Sequence, residues 1–248
     1  MIKKRIIVFL MGPSGIGKTS LSLKLYNLFN FDIINVDSSM IYKKMNIGTG
    51  KPDALKLKHI KHNLTNIINT NEKYSVFNFC IDAYFLIQNA ISKNKIPLLV
   101  GGNMMYNWFY QNYLFSKYFY KDLINEYQFL NIVLIPNNKK YMNFYIKKRF
   151  LYMLKTGIIE ETQKIYINDN LNLNSKSINS IGYKDIWLYL ENKIKFNDVK
   201  NLIIKSTQNL SKRQITWIKK WHNDVYYFEM KNKNTVAFIS TLIKKYLY

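Results

Sequence analysis

The chain has 248 residues, 48% of them apolar and 21% charged, which allows one large domain with a sizeable core and excludes a globally disordered chain. Its 37 Lys and Arg against 15 Asp and Glu give a formal net charge of +22, so its field attracts polyanions, RNA foremost, although a Lys-, Asn- and Ile-rich composition bias accounts for part of the excess. A single cysteine, Cys80, excludes an internal disulfide framework and fits a reducing, cytoplasmic setting, and no apolar run reaches the length of a membrane span.

Ile6 to Met11 is a continuous apolar run that passes directly into a glycine-rich loop, which predicts a buried parallel strand rather than a signal peptide. Gly12 to Thr19 is a tight loop, and the helix after it carries Leu21, Leu25 and Leu28 on one face. Asp32 to Asp37 is a second strand, and Asp37 to Pro52 is irregular, with one helical turn. Ser75 is an N-cap for a helix that reaches Lys93. Ile96 to Val100 is a further buried strand closed by Gly101-Gly102, and a helix begins near Asn103. Leu130 to Ile135 is a strand that Pro136 ends.

The second half is mostly helical. Tyr141 to Lys155 is a helix with Gly157 as its C-terminal cap, Asp169 to Asn179 is an Asn- and Ser-rich loop, and Asp198 to Lys220 is a long basic helix. A late strand, Val225 to Met230, precedes a final amphipathic helix. Strands alternating with helices give an α/β fold with a parallel sheet.

Gly12-Pro13-Ser14-Gly15-Ile16-Gly17-Lys18-Thr19 matches G-x-x-x-x-G-K-[ST] in full, after a strand and opening a helix. Successive backbone N–H groups and a helix N-terminus surround a phosphate there, Lys18 adds a full charge, and the Thr19 hydroxyl can hold Mg²⁺. The motif specifies a diphosphate but not ATP. Asp37 lies at the C-terminal end of the second strand, where open α/β sheets place their ligands. A carboxylate there has three readings: a Mg²⁺ ligand, a proton acceptor for an attacking nucleophile, or a capping group.

Motifs in order along nearly the whole chain carry a resemblance. After the phosphate loop come Asp37-Ser38-Ser39-Met40-Ile41-Tyr42 and Met45-Asn46-Ile47-Gly48-Thr49-Gly50-Lys51-Pro52. Next are His62-Asn63-Leu64, then Tyr74-Ser75 with Phe79, and Pro97-Leu98-Leu99-Val100-Gly101-Gly102. Ile181-Gly182-Tyr183-Lys184 and Ser211-Lys212-Arg213-Gln214-Ile215-Thr216-Trp217 complete the series. This series resembles the tRNA dimethylallyltransferase family.

The resemblance implies a P-loop NTPase-like parallel sheet flanked by helices, whose phosphate loop holds the diphosphate of dimethylallyl diphosphate. It implies that Lys18 and Arg213 neutralise that diphosphate, that Mg²⁺ near Thr19 assists the leaving group, and that Asp37 is the general base toward the adenine N6 amine. The acceptor it implies is the adenosine immediately 3′ of the anticodon of a tRNA, contacted by Asp37, Ser38, Ser39, Met40, Asn103, Lys212 and Gln214. A monomer with no membrane association is expected. Two other functions are compatible with parts of the sequence: a nucleotide or small-molecule kinase, and a non-catalytic RNA-binding remnant.

The chain departs from the family pattern in three places. Asn103 stands where the family has Thr after Gly101-Gly102, so its catalytic role is an expectation carried by position alone. Gln208 and Asn209 replace an Arg-Gln step upstream of Lys212-Arg213-Gln214. The helical insertion that grips the anticodon stem in the family is reduced here to Leu114 to Phe129, so residues 1–113 and 130–248 are expected to form the core and 114–129 the remnant.

Asn209, Arg213 and Trp217 share one helical face. His59 and His62 are three apart and compatible with a shared face, but no third ligand has metal spacing. Cys80 falls in the apolar pattern of the Ser75 helix, as core. The Trp108, Phe109, Tyr110 and Tyr113 cluster is expected as the packed face of the Asn103 helix.

Overall fold

The computed structural model describes residues 5–103, 127–220, 224–230 and 234–247. Six strands, β1 (Arg5–Met11), β2 (Phe31–Val36), β3 (His62–Asn63), β4 (Ile96–Gly101), β5 (Tyr127–Ile135) and β6 (Val225–Glu229), form one sheet in the order β3-β2-β4-β1-β5-β6. Every pairing is parallel. β1 is central, and its Ile6–Met11 stretch is buried throughout, as the uninterrupted apolar run predicts.

Alternate residues of β1 feed two layers, because successive strand side chains point to opposite faces. Ile7, Phe9 and Met11 pack with Phe79, Cys80, Ala83 and Ile87 of α3 (Val76–Ser92). Ile6, Val8 and Leu10 pack on the other side with Leu21 and Leu25 of α1 (Lys18–Tyr26) and with Ile239 and Ile243 of the C-terminal helix (Thr235–Leu247). A third cluster joins α4 (Lys139–Lys155), α5 (Ile158–Asn168), α6 (Tyr183–Leu190) and α7 (Phe196–Lys219) through Phe150, Met153, Ile158, Ile186, Val199 and Ile203. With α2 (Ala54–His59) before β3, the C-terminal helix is α8.

The Ser75 helix forms as read. Ser75 accepts from the Asn78 N–H and Asn78 answers at the Ser75 N–H, a reciprocal capping box, and Lys93 closes the C-terminal end. Other boundaries move for local reasons. α1 ends at Tyr26, so Leu28 lies beyond it, 58% exposed. Thr156 is the C-cap of α4, and Gly157, with φ 97°, turns the chain straight into α5.

β5 begins at Tyr127, because residues 127–129 pair with Arg5–Ile7 of β1. The expected insertion remnant, 114–129, therefore loses its last three residues to the sheet. Its remainder, the helix after Asn103 and the Trp108–Tyr113 cluster lie outside the described residues.

The sheet also sets up the site. Val36, Gly101 and Met11 sit in register on adjacent strands, so the segments leaving β2, β4 and β1 emerge side by side. That edge delivers Asp37, Gly102-Asn103 and the phosphate loop to one place.

Candidate active site

A cleft of about 1250 Å³ opens at the carboxyl ends of the strands. Its lining draws together Ser14, Gly15, Gly17, Lys18 and Thr19 of the phosphate loop, then Asp37 to Met40, Asn103, Arg149 and Arg213. Gly12, Pro13 and Ile16 are buried behind that surface. Gly17 caps α1 at φ 105°, a left-handed conformation that L side chains rarely adopt, and so aims the helix N-terminus into the cleft.

Lys18 crosses the mouth of the loop, its Nζ donating to the Gly12 carbonyl at 2.7 Å and the Pro13 carbonyl at 3.0 Å. Burial pushes its ammonium down to about 7, helped by the nearby Arg149 and opposed by Asp37. Thr19 lines the cleft one residue on.

Asp37 performs the capping role and faces the cleft as well. Its Oδ1 accepts from the Ser39 N–H at 2.8 Å and the Met40 N–H at 3.4 Å, which fixes the turn after β2. Ser39 then reaches across to Ser180, hydroxyl to hydroxyl at 3.1 Å, tying this turn to the loop before α6. Asn103 lines the same cavity, its N–H donating to the Val36 carbonyl at 3.3 Å.

Arg149 is the cation that the sequence reading passed over. It lies on the inner side of α4 with the buried Met142, Ile146, Phe150 and Met153, and a charge in a buried stripe was the available signal. Its Nη2 donates to the Thr49 carbonyl at 3.0 Å. Burial lowers its pKa and Asp37 opposes that shift, so Lys18, Asp37 and Arg149 share one electrostatic neighbourhood.

Arg213 and Trp217 line the cleft from exposed positions on α7, while Lys212 is exposed and outside the lining. Gln214 is buried, 7% exposed. Its Oε1 accepts from the Ser14 N–H and its Nε2 donates to the Gly102 carbonyl, so both ends of the amide are used by protein groups. Gly102 permits this: a Cβ there would stand 2.6 Å from Gln214 Nε2.

Behind the cleft, the Met45–Pro52 segment is held by Glu161. Its carboxylate accepts from the N–H groups of Asn46, Ile47 and Gly48 at 3.0 to 3.3 Å and from the Tyr183 hydroxyl at 2.6 Å. Lys51 bonds the Asn66 side chain at 2.6 Å and also the Tyr42 carbonyl; burial pushes it down to about 8. His59 and His62 fall on α2 and β3, so they share no helical face. Among the described residues no group of three His, Cys, Asp or Glu is placed to hold a metal.

Residues 40–115 and 108–221 match the family model described as IPP transferase. A tRNA dimethylallyltransferase of Buchnera aphidicola subsp. Cinara cedri is 33% identical, with 100% of both chains covered. The chain belongs to the IPP transferase family. Another relative in this family, the tRNA dimethylallyltransferase of Vesicomyosocius okutanii subsp. Calyptogena okutanii, is 32% identical over 96% of this chain and 98% of its own.

Solved structures agree in fold. A tRNA delta(2)-isopentenylpyrophosphate transferase from Staphylococcus epidermidis superposes with TM-score 0.86 at 22% identity, covering 98% of this chain and 100% of its own. A eukaryotic dimethylallyltransferase acting on tRNA gives TM-score 0.81 at 20% identity, covering 96% of this chain and 78% of its own. No helix among the described residues is long and apolar enough to cross a membrane.

Proposed function

We propose that this chain moves the dimethylallyl group from dimethylallyl diphosphate to N6 of the adenosine immediately 3′ of a tRNA anticodon, acting as a cytoplasmic monomer. The observation that carries the proposal is the sharing of one cleft by a complete phosphate loop, the cations Lys18 and Arg149, and the Asp37 carboxylate. A diphosphate seated on the loop N–H groups brings a charge for Lys18 and Arg149 to meet, with Arg213 closing from α7.

The exocyclic amine is a weak nucleophile because its lone pair is delocalised. As the new C–N bond forms at the allylic carbon, the C–O bond to diphosphate breaks and the amine proton passes to the Asp37 carboxylate. The negative charge that builds on the departing diphosphate falls among the loop amides, Lys18 and Arg149. The Thr19 hydroxyl and diphosphate oxygens are the hard oxygen donors that Mg²⁺ prefers, so Thr19 fits the ion. Mg²⁺ bound there would supply further charge stabilisation to the leaving group.

Ser38, Ser39, Met40 and Asn103 rim the cleft next to Asp37 and would meet the flipped adenosine and its neighbours, with Lys212 outside on α7 for backbone phosphate. A kinase shares the loop and sheet, but the similar proteins are named as transferases of a prenyl group to tRNA, and no feature of the cleft favours phosphoryl transfer. Incubation with labelled dimethylallyl diphosphate, Mg²⁺ and unmodified tRNA should yield N6-isopentenyladenosine on nucleoside analysis. Transfer of an ATP γ-phosphate with no prenylated nucleoside would overturn the proposal.

A further inference from the structure

Helix α4 has two unlike faces. The inner one carries Met142, Ile146, Phe150 and Met153, all buried, and presents Arg149 to the cleft. The outer one carries large apolar and aromatic side chains in the open: Phe144 at 60% exposure, Leu151 at 45% and Tyr152 at 68%. The helix holds six Lys and Arg and no Asp or Glu. Lys147, Lys148 and Lys155 are exposed on it, and none of them forms an ion pair among the described residues.

The aromatics are ordered along the helix. Tyr141, Tyr145, Arg149 and Tyr152 follow one another at four, four and three residues, so they form a single stripe that runs past the cleft rim. Tyr141 and Tyr145 already stack on each other, ring centroids 4.5 Å apart and tilted by 42°, and Phe144 meets Tyr145 edge-on at 5.3 Å. Lys148 and Lys155 flank the stripe on its solvent side by the same helical geometry.

We propose that this stripe is a docking surface for single-stranded RNA next to the reacting nucleotide. Tyr145 and Tyr152 offer faces on which unpaired bases stack, and Lys148 and Lys155 meet the phosphates between those bases. The pairing of aromatic platforms with unneutralised cations on one exposed face is what a looped-out RNA strand complements. An acidic protein would use the charge but not an ordered ladder of rings. The position matters too, because the stripe passes Arg149 and therefore leads a bound strand toward the cleft. The inference rests on the tRNA reading above.

The test compares the full chain with three variants, Y145A/Y152A, Y145F/Y152F and K148Q/K155Q, measuring affinity for an anticodon stem-loop across a salt series. Calorimetric binding of dimethylallyl diphosphate and thermal unfolding are measured alongside. Y145A/Y152A should bind the stem-loop about tenfold or more weakly with an unchanged salt slope, since stacking carries no counterion release. Y145F/Y152F should bind as the parent does, because the ring faces remain.

K148Q/K155Q should bind more weakly and lose about one unit of log–log salt slope per lysine. All three should bind the diphosphate normally and unfold at the parent temperature. Unchanged stem-loop affinity in the alanine and glutamine variants overturns the inference, whether the face is covered by a second copy or by lipid. Parallel loss of diphosphate binding overturns it as well. If the parent chain binds the stem-loop through this face but transfers nothing to it, the transfer reading fails and the docking surface stands.

Discussion

Gln214 ties the phosphate loop to the end of β4, its Oε1 accepting from the Ser14 N–H at 2.8 Å while its Nε2 donates to the Gly102 carbonyl at 2.7 Å. Gln214, for which the resemblance implies a contact with tRNA, also lines the cleft, so these two bonds hold its amide at the site. α7 thus carries a strut on its inner face and Arg213 one residue away, facing the cleft.

Removing the strut leaves the buried Gly102 carbonyl without this partner, which costs about 1–3 kcal/mol when no water replaces it, and frees the half-buried Ser14 N–H. Gln214→Ala should lower the unfolding temperature and weaken dimethylallyl diphosphate roughly tenfold, the change expected for about 1.4 kcal/mol. Gln214→Glu should weaken the diphosphate more than alanine does, since a carboxylate can still accept from Ser14 but brings negative charge to the phosphates. Calorimetric titration of both variants decides it, and a glutamate variant that binds as tightly as the parent would remove Gln214 from the diphosphate site.

Asp37 has a structural and a chemical duty, and two substitutions separate them. Asp37→Asn keeps an oxygen to accept from Ser39 and Met40, so the turn and the stability should survive. It cannot take up the amine proton, so turnover should fall by about 10²-fold or more with diphosphate binding little changed. Asp37→Ala should show the same loss together with about 1 kcal/mol of lost stability, the usual scale for a missing side-chain cap. Near-normal turnover in the asparagine variant, measured by single-turnover nucleoside analysis, would take Asp37 out of the chemistry.

Much of this was legible before the fold was known, and the reasons differ by residue. The phosphate loop was readable because its chemistry is local: consecutive backbone amides, one lysine and one helix start. The Ser75 cap and the β1 run were readable for the same reason. Arg149 was not, because its meaning comes from Thr49 and Asp37, each about a hundred residues away in the chain. Glu161 was equally silent, since the amides it accepts from lie more than a hundred positions earlier. The bonds of Gln214 to Ser14 and Gly102 were not readable either, because a helical pattern gives a face and not what lies beyond it. The short β3 takes its strand character from pairing with Ile33 and Ile34, not from its own two residues.

Lys18 predicts a pH dependence with a definite sign. Burial holds it near 7 in the free protein, against about 10.4 for an unburied lysine. Between those values the unfolded chain carries the proton and the folded one does not, so the Lys18 contribution to stability rises with pH across that window. A bound diphosphate restores the charge, so binding takes up a proton there and affinity should weaken as pH rises from 7.5 to 9, by up to about tenfold per unit. Phosphate monoesters have finished titrating by then, their second pKa lying near 6, so the donor contributes little to the slope. Lys18→Met should bind weakly at every pH with the slope gone. A parent enzyme whose affinity is flat over this range would show that Lys18 keeps its charge in the free cleft.

Glu161 touches nothing in the cleft lining except through Gly48 and Tyr183, yet it should govern how the donor binds. Its carboxylate gathers the N–H groups of residues 46–48, and the carbonyl of the next residue, Thr49, is where Arg149 is anchored. Glu161→Gln keeps the shape and an acceptor but loses the charge that three amides and the Tyr183 hydroxyl meet. Hydrogen bonds to a charged group contribute about 1.5–3 kcal/mol against about 1 for neutral ones, so the segment should loosen without the chain unfolding. The KM for dimethylallyl diphosphate should then rise about tenfold, in line with a loss near 1.4 kcal/mol, while the KM for tRNA changes little. Tyr183→Phe, which removes one of the four bonds and leaves the charge, should show a smaller rise in the same direction. Steady-state kinetics with each substrate varied in turn separates the outcomes: an equal loss in both KM values, or a fall in active fraction with both unchanged, would mean that Glu161 only holds the fold.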